Sequence, residues 1–217
     1  MDEAVPLPYG ATDLRRRAPR MHPPGGDPLA RRPAFGDHVL EPSLRAMVEG
    51  LVLRPAAVLI PLVLHEGATS VLLTRRTDHL RAHAGQIALP GGKIDPQDEG
   101  PVAAALREAE EEIGLDRRLV EPIGRLDAYV STTGYEIVPI VGLVRPNPPL
   151  VPNPDEVADV FEVPLAFLME PQNHVFESRE YKGLTRRVYA MPYEDRRIWG
   201  VTAGILRLFY EQVFADG

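Results

Sequence analysis

From Ala56 to Leu64 the chain is apolar without interruption and carries several β-branched residues, and Thr69 to Thr74 is a second run of the same kind. His65-Glu66-Gly67-Ala68 between them has the composition of a turn, so the pattern predicts a hairpin of two largely buried strands. Further strands are predicted over Ile123 to Val130, Ile137 to Val144, Val157 to Val163 and Arg187 to Met191. A helical period replaces this pattern after Pro101: Val102, Leu106, Ala109 and Ile113 recur on one face, with Pro101 suited to a first turn and Gly114 to a C-terminal cap. Val201 to Val213 repeats the signal through Ile205, Leu206, Phe209 and Val213, and Leu44 to Leu51 suggests a short helix before the first strand. Helices interleaved with strands predict an α/β fold, a mixed sheet sandwiched between helices in an α/β/α arrangement. No internal repeat is present.

Residues 1 to about 38 stand outside this periodicity. They are rich in Pro, Gly and Arg, including Arg15-Arg16-Arg17 and Pro23-Pro24-Gly25-Gly26. This reads as a flexible or loosely docked extension with solvated charge, leaving residues 39–217 as one domain. On that reading, deleting the extension leaves folding and activity largely intact.

Composition narrows the function. A formal net charge of −7 argues against general binding to nucleic acid or an anionic membrane. No apolar run reaches the length of a membrane span, and the first residues lack the apolar core of a signal peptide. With no cysteine, disulfide and thiolate chemistry are excluded, which fits a cytoplasmic protein. A chain of 217 residues, 44% hydrophobic and 25% charged, is long enough for a sizeable core.

Chemistry concentrates between Leu89 and Leu115. Glu108, Glu111 and Glu112 are three and four positions apart and project from one helical neighbourhood. Carboxylates that close repel one another, and a hard divalent cation such as Mg²⁺ or Mn²⁺ is the economical compensation. The preceding Gly91-Gly92 lets backbone approach a metal or a phosphate without a Cβ in the way. For an arbitrary glutamate-rich helix, a solvated face is the commoner explanation. Upstream, Arg75, Arg76, Arg81, His83 and Lys93 crowd a short stretch of an acidic protein. Arginines suit bidentate phosphate recognition, although on composition alone surface charge is the commoner account of such a cluster.

Glu99, seven intervening residues, then Arg107-Glu108-Ala109-Glu110-Glu111-Glu112-Ile113-Gly114-Leu115 resembles the Nudix box, G-x5-E-x7-R-E-U-x-E-E-x-G-U with U apolar. Two departures are visible: six residues, rather than five, separate Gly92 from Glu99, and the first U is Ala109. The upstream stretch Leu72-Leu73-Thr74, Arg76-Thr77, Arg81, Gly85, Ile87 and Leu89-Pro90-Gly91-Gly92 is similar to the additional signature of the coenzyme A pyrophosphatase branch of that family. The likeness extends over roughly residues 39 to 215.

The resemblance implies a Nudix fold and metal-dependent hydrolysis of the pyrophosphate in coenzyme A or its thioesters, releasing 3′,5′-ADP and 4′-phosphopantetheine or its acylated form. It makes Glu108 and Glu112 the first-choice ligands of Mg²⁺ or Mn²⁺, with Glu111 next and the Gly91 carbonyl as an addition. Arg107 would steady the glutamates, and Glu111, Glu99 and Glu156 are all open as general base. Arg76, Arg81, Gly92 and Lys93 are the expected substrate contacts. The partner is a small molecule, not nucleic acid or membrane, with a homodimer as the association to test. ADP-ribose or a dinucleotide is the alternative substrate, and a non-catalytic nucleotide-binding regulator the alternative class. Trp199 is expected as a core anchor, His83 and Tyr135-Glu136 as ordinary surface or turn residues, and Pro146 to Pro154 as a stiff connection.

Overall fold

In the computed structural model, which describes residues 7–25, 35–41, 44–80, 83–181 and 184–215, one strand runs through the middle of the molecule. This is β2 (Arg54–His65). Its even-numbered side chains Ala56, Ile60 and Leu62 enter one core, while Ala57, Leu59 and Val63 enter another on the opposite face. Burial on both faces is why the sequence here is continuously apolar instead of alternating.

β2 turns at Gly67 into antiparallel β3 (Ala68–Arg76), as the hairpin pattern predicts. On the other edge of β2 lies β8 (Tyr135–Val144), parallel and in register from Arg54↔Tyr135 to Val63↔Val144. β9 (Val157–Pro164) pairs with the free edge of β3, and β6 (Val120–Arg125) and β7 (Tyr129–Val130) line the far edge of β8. The single strand expected over 123–130 is thus two, both antiparallel to β8, with Leu126 to Ala128 between them. Short strands β1 (Phe35–Gly36), β4 (Ile87–Ala88) and β5 (Gly91–Lys93) complete a nine-stranded mixed sheet. A second sheet, the meander β10 (Val175–Tyr181), β11 (Leu184–Tyr193) and β12 (Arg196–Trp199), packs at its end.

α4 (Pro101–Ile113) covers one face of the large sheet through Ala104, Ala105, Ala109 and Ile113, with Val102 and Leu106 only partly buried beside them. The alanines bring the helix axis close to β2. The opposite face is covered by α6 (Val201–Phe209), which widens into a π turn at Tyr210–Phe214, and by α1 (Ala11–Arg17). The sandwich of helices about a mixed sheet is the expected α/β/α architecture. Among the described residues no helix is long and apolar enough to cross a membrane.

The flexible-extension reading fails for residues 7–25. Leu14 is 2% exposed inside the core and Met21 is buried near it. The Tyr9 carbonyl accepts from Thr69 Oγ1 at 2.6 Å, and His22 and Arg125 exchange backbone hydrogen bonds at 3.0 Å. The arginine triplet is used: Arg15 bonds Glu121, Arg16 bonds Asp13, and Arg17 reaches Asp13 and the Val213 carbonyl. One buried leucine on a two-turn helix is too short a signal for periodicity to register. The boundary placed near residue 38 falls inside α2 (Asp37–Leu40); α3 (Arg45–Glu49) follows it where a short helix is expected, and α5 (Leu165–Leu168) follows β9.

Candidate active site

Gly91 and Gly92 belong to β5, which pairs with the first half of β2 through Val58↔Gly91 and Ala57↔Gly92. Gly91 has φ +154°, and a Cβ there would stand 2.4 Å from the Ala57 carbonyl oxygen. At Gly92 a Cβ would stand 2.5 Å from the Glu108 carboxyl group. The first glycine lets the turn close on β2, and the second makes room for a carboxylate from α4.

The three helix glutamates occupy different environments. Glu112 is buried, its Oε2 accepting from the Gly91 N–H at 3.2 Å and its Oε1 lying 3.7 Å from Arg76 Nη1. Burial pushes its carboxyl up to about 7; the Gly91 bond and Arg76 oppose the rise, while the charges of Glu108 and Glu156 add to it. Glu108 is also raised, by burial first, with Arg107 opposing and Glu111 and Glu156 reinforcing. Glu111 is exposed and accepts from Arg107 Nη1 at 3.0 Å. Among the described residues no three acidic or histidine side chains converge on one point as a finished metal site.

Arg107 ties this cluster together. Its Nη1 donates to Glu108 and Glu111, both at 3.0 Å, and its Nη2 to the Lys93 carbonyl at 3.1 Å. Its Nε and Nη2 grip Asp98 at 3.0 and 2.9 Å. These bonds, Asp98 foremost, raise the guanidinium above its already high value and hold Asp98 below the usual carboxylate range. Asp98 is the residue that the sequence reading missed. Five residues counted forward from Gly92 lead to position 98, whereas counting seven backward from Arg107 leads to Glu99. Glu99 is exposed and has no hydrogen bond or ion pair among the described residues, so its expected place in the site is corrected. Lys93 contributes its carbonyl, with its side chain exposed.

Glu156 reaches the cluster on the Pro-rich loop after β8. That loop is fastened to the end of α4 by Val151 N–H to the Ile113 carbonyl at 2.9 Å and Asn153 N–H to the Glu112 carbonyl at 2.8 Å. The left-handed cap at Gly114, φ +68°, frees the chain to turn away there.

Arg76 and Gly91 also line a cleft of about 260 Å³ between the large sheet, the second sheet and the start of α6. Its walls include apolar Val58, Leu89, Ile137 and Ile205 and the hydroxyls of Ser131 and Thr132. Trp199 is half-buried and lines this cleft, with the Arg179 guanidinium 4.9 Å above its ring, so it is a wall and not the expected core anchor. His83 and Tyr135 line it too, whereas Arg75 bonds Asp78 at the surface. Arg81 lies outside the described residues.

Residues 53–182 match the model of the NUDIX domain. The chain belongs to the Nudix family. Nudix hydrolases generally use divalent cations such as Mg²⁺ or Mn²⁺, and this Nudix chain is 46% identical over 160 residues to a Yersinia pestis relative described as an uncharacterized Nudix hydrolase, NudL. The match covers 74% of this chain and 80% of that relative. Among solved structures, a Nudix hydrolase from M. smegmatis, RenU, aligns with 54% of this chain and 81% of its own at 25% identity and a TM-score of 0.46. The NUDIX domain of Shewanella oneidensis NrtR, complexed with ADP ribose, aligns with 52% of this chain and 74% of its own at 24% identity and a TM-score of 0.41. The Nudix box of this chain is therefore α4 with the turn before it, and its first carboxylate position is served by Asp98.

Proposed function

We propose that this Nudix hydrolase cleaves the pyrophosphate of coenzyme A or its thioesters, releasing 3′,5′-ADP and 4′-phosphopantetheine or its acylated form. The carrying observation is that Arg76 and Gly91, the two groups in contact with the buried Glu112 carboxylate, also line the adjoining cleft. A pyrophosphate at that junction meets a guanidinium and the glutamates together. The coenzyme A assignment is supported by the signature from Leu72 to Gly92.

The donors fit a hard divalent cation. All are oxygens, Gly92 leaves the Glu108 carboxyl the space of a Cβ, the charge of Glu108 raises the Glu112 carboxyl, and the charges of Glu111 and Glu156 raise that of Glu108. Glu108 and Glu112 would hold Mg²⁺ or Mn²⁺, with Glu111 and the Gly91 carbonyl as additional donors. The bound ion supplies neutralisation of the pyrophosphate and a more acidic attacking water. Arg107 positions Glu108 and Glu111, and Arg76 takes the negative charge of the phosphates. Glu111, held by Arg107, and Glu156, carried on the fastened loop, are the carboxylates available as general base.

Incubation with coenzyme A, ADP-ribose and a dinucleotide, each with Mg²⁺ or Mn²⁺, followed by mass identification of products, tests the assignment. Coenzyme A should be cleaved to 3′,5′-ADP in a metal-dependent reaction, and Glu112→Gln should lower turnover by several powers of ten with circular dichroism unchanged. A preference for ADP-ribose would move the substrate to another branch. Binding without hydrolysis of any nucleotide would make the chain a regulator.

A further inference from the structure

At the end of the cleft away from the glutamates, residues from three separated segments form one polar cluster. Asp37, at the start of α2, accepts from the Tyr129 hydroxyl at 2.8 Å, the Thr132 N–H at 3.0 Å and Thr132 Oγ1 at 2.9 Å. Arg186, on β11, donates from Nη1 to Thr132 Oγ1 at 2.5 Å and stands 3.8 Å from Asp37 Oδ2. The Asp37 and Arg186 side chains are 12% and 14% exposed, and Asp37, Thr132 and Arg186 all line the cleft. Register places them: Gly91 lies opposite Val58, while Tyr135, next to this turn, lies opposite Arg54. Four strand residues correspond to roughly 13 Å along β2.

The chemistry of the cluster is that of an anion receptor held in place. An acidic protein that accepts a polyanion needs local positive groups, and among the described residues the arginines lining the cleft are Arg76 and Arg186. Arg76 is committed to the glutamate end by its 3.7 Å approach to Glu112. Arg186, held by Thr132 and beside Asp37, stands at the other end of the same cleft, where a second anionic group of the ligand would meet it. Three neutral donors satisfy Asp37, which stays beyond hydrogen-bond distance of the guanidinium and orients it through Thr132. Residues 37 and 186 both fall outside the span 53–182 that the chain shares with the domain model, where contacts peculiar to one substrate are to be expected.

We propose that Arg186 receives a phosphate monoester on the ribose of the substrate, and that Asp37 is a positioning residue acting on Arg186 through Thr132. This rests on the cleft being the nucleotide site of the pyrophosphatase. The test uses the full chain and two probes that need no hydrolysis, adenosine 3′,5′-bisphosphate and AMP, with affinities measured by calorimetry. The wild type should prefer the bisphosphate. Arg186→Ala should weaken the bisphosphate by about ten- to a hundredfold and leave AMP nearly unchanged. Asp37→Asn should weaken it less, and Arg186→Lys should recover part of the loss. With coenzyme A and its 3′-dephospho form as substrates, the same variants should raise KM for coenzyme A alone and leave kcat near wild type.

Equal affinity of the wild type for both probes, including no measurable affinity for either, overturns the proposal. So does an equal loss on both in Arg186→Ala. If that variant does not fold, an unchanged preference in both Arg186→Lys and Asp37→Asn overturns it. A wild type that binds the bisphosphate selectively but does not cleave coenzyme A would refute the proposed reaction and leave the receptor standing.

Discussion

Asp98 has a side chain one methylene shorter than the glutamate of the usual box, and it still grips Arg107 with both oxygens. Removing its charge leaves the guanidinium with weaker acceptors, so Asp98→Asn should lower stability by about 2 kcal/mol and reduce turnover. Glu99→Gln, at an exposed position, should leave both near wild type. Thermal melts and initial rates on the two variants check this. Arg107 holds Asp98 below the ordinary value of 3.8. A carboxyl depressed in the folded state stabilises above its unfolded value and loses that contribution as pH falls through the folded one. The gap in Tm between wild type and Asp98→Asn should therefore be full at neutral pH and close in strong acid. Spacing was enough to put Glu108, Glu111 and Glu112 in one helical neighbourhood. It carries no information on their division into a buried and an exposed group, because the Gly91 N–H and Arg76 that face Glu112 arrive from other strands.

At the scale of the element, adjacent glycines make opposite predictions. A Cβ at position 91 would collide with the main chain of β2, which cannot yield without losing its pairing, so Gly91→Ala should cost about 2 kcal/mol or more in a denaturant titration. At position 92 it would meet only the end of the Glu108 side chain, which can swing aside. Gly92→Ala should melt like wild type yet lose activity on the order of a hundredfold, since a displaced catalytic group is enough for that. Elements whose burial is two-sided or periodic, β2, β3, β8, α4 and α6, are legible from the sequence alone. β10 and β12 are not, because the charged residues Glu177, Arg179, Arg196 and Arg197 break their apolar pattern. What replaces apolar burial there is pairing with β11 and ion pairs such as Arg197 with Glu177.

For the whole molecule, the N-terminal segment is part of the body. Leu14→Ala should cost about 2–5 kcal/mol, the usual range for a buried leucine. Deleting residues 1–38 should lower stability by at least as much and, through the loss of Asp37, raise KM. A truncated chain that melts and turns over like the full one would show that the docking is incidental. The cleft itself draws its walls from α2, from the middle of the chain and from β11 to α6. During synthesis, then, the glutamates emerge well before there is a pocket beside them. A polypeptide ending after β9 would hold every acidic residue of the cluster, and it would lack the side of the cleft that Arg186, Trp199 and Ile205 build.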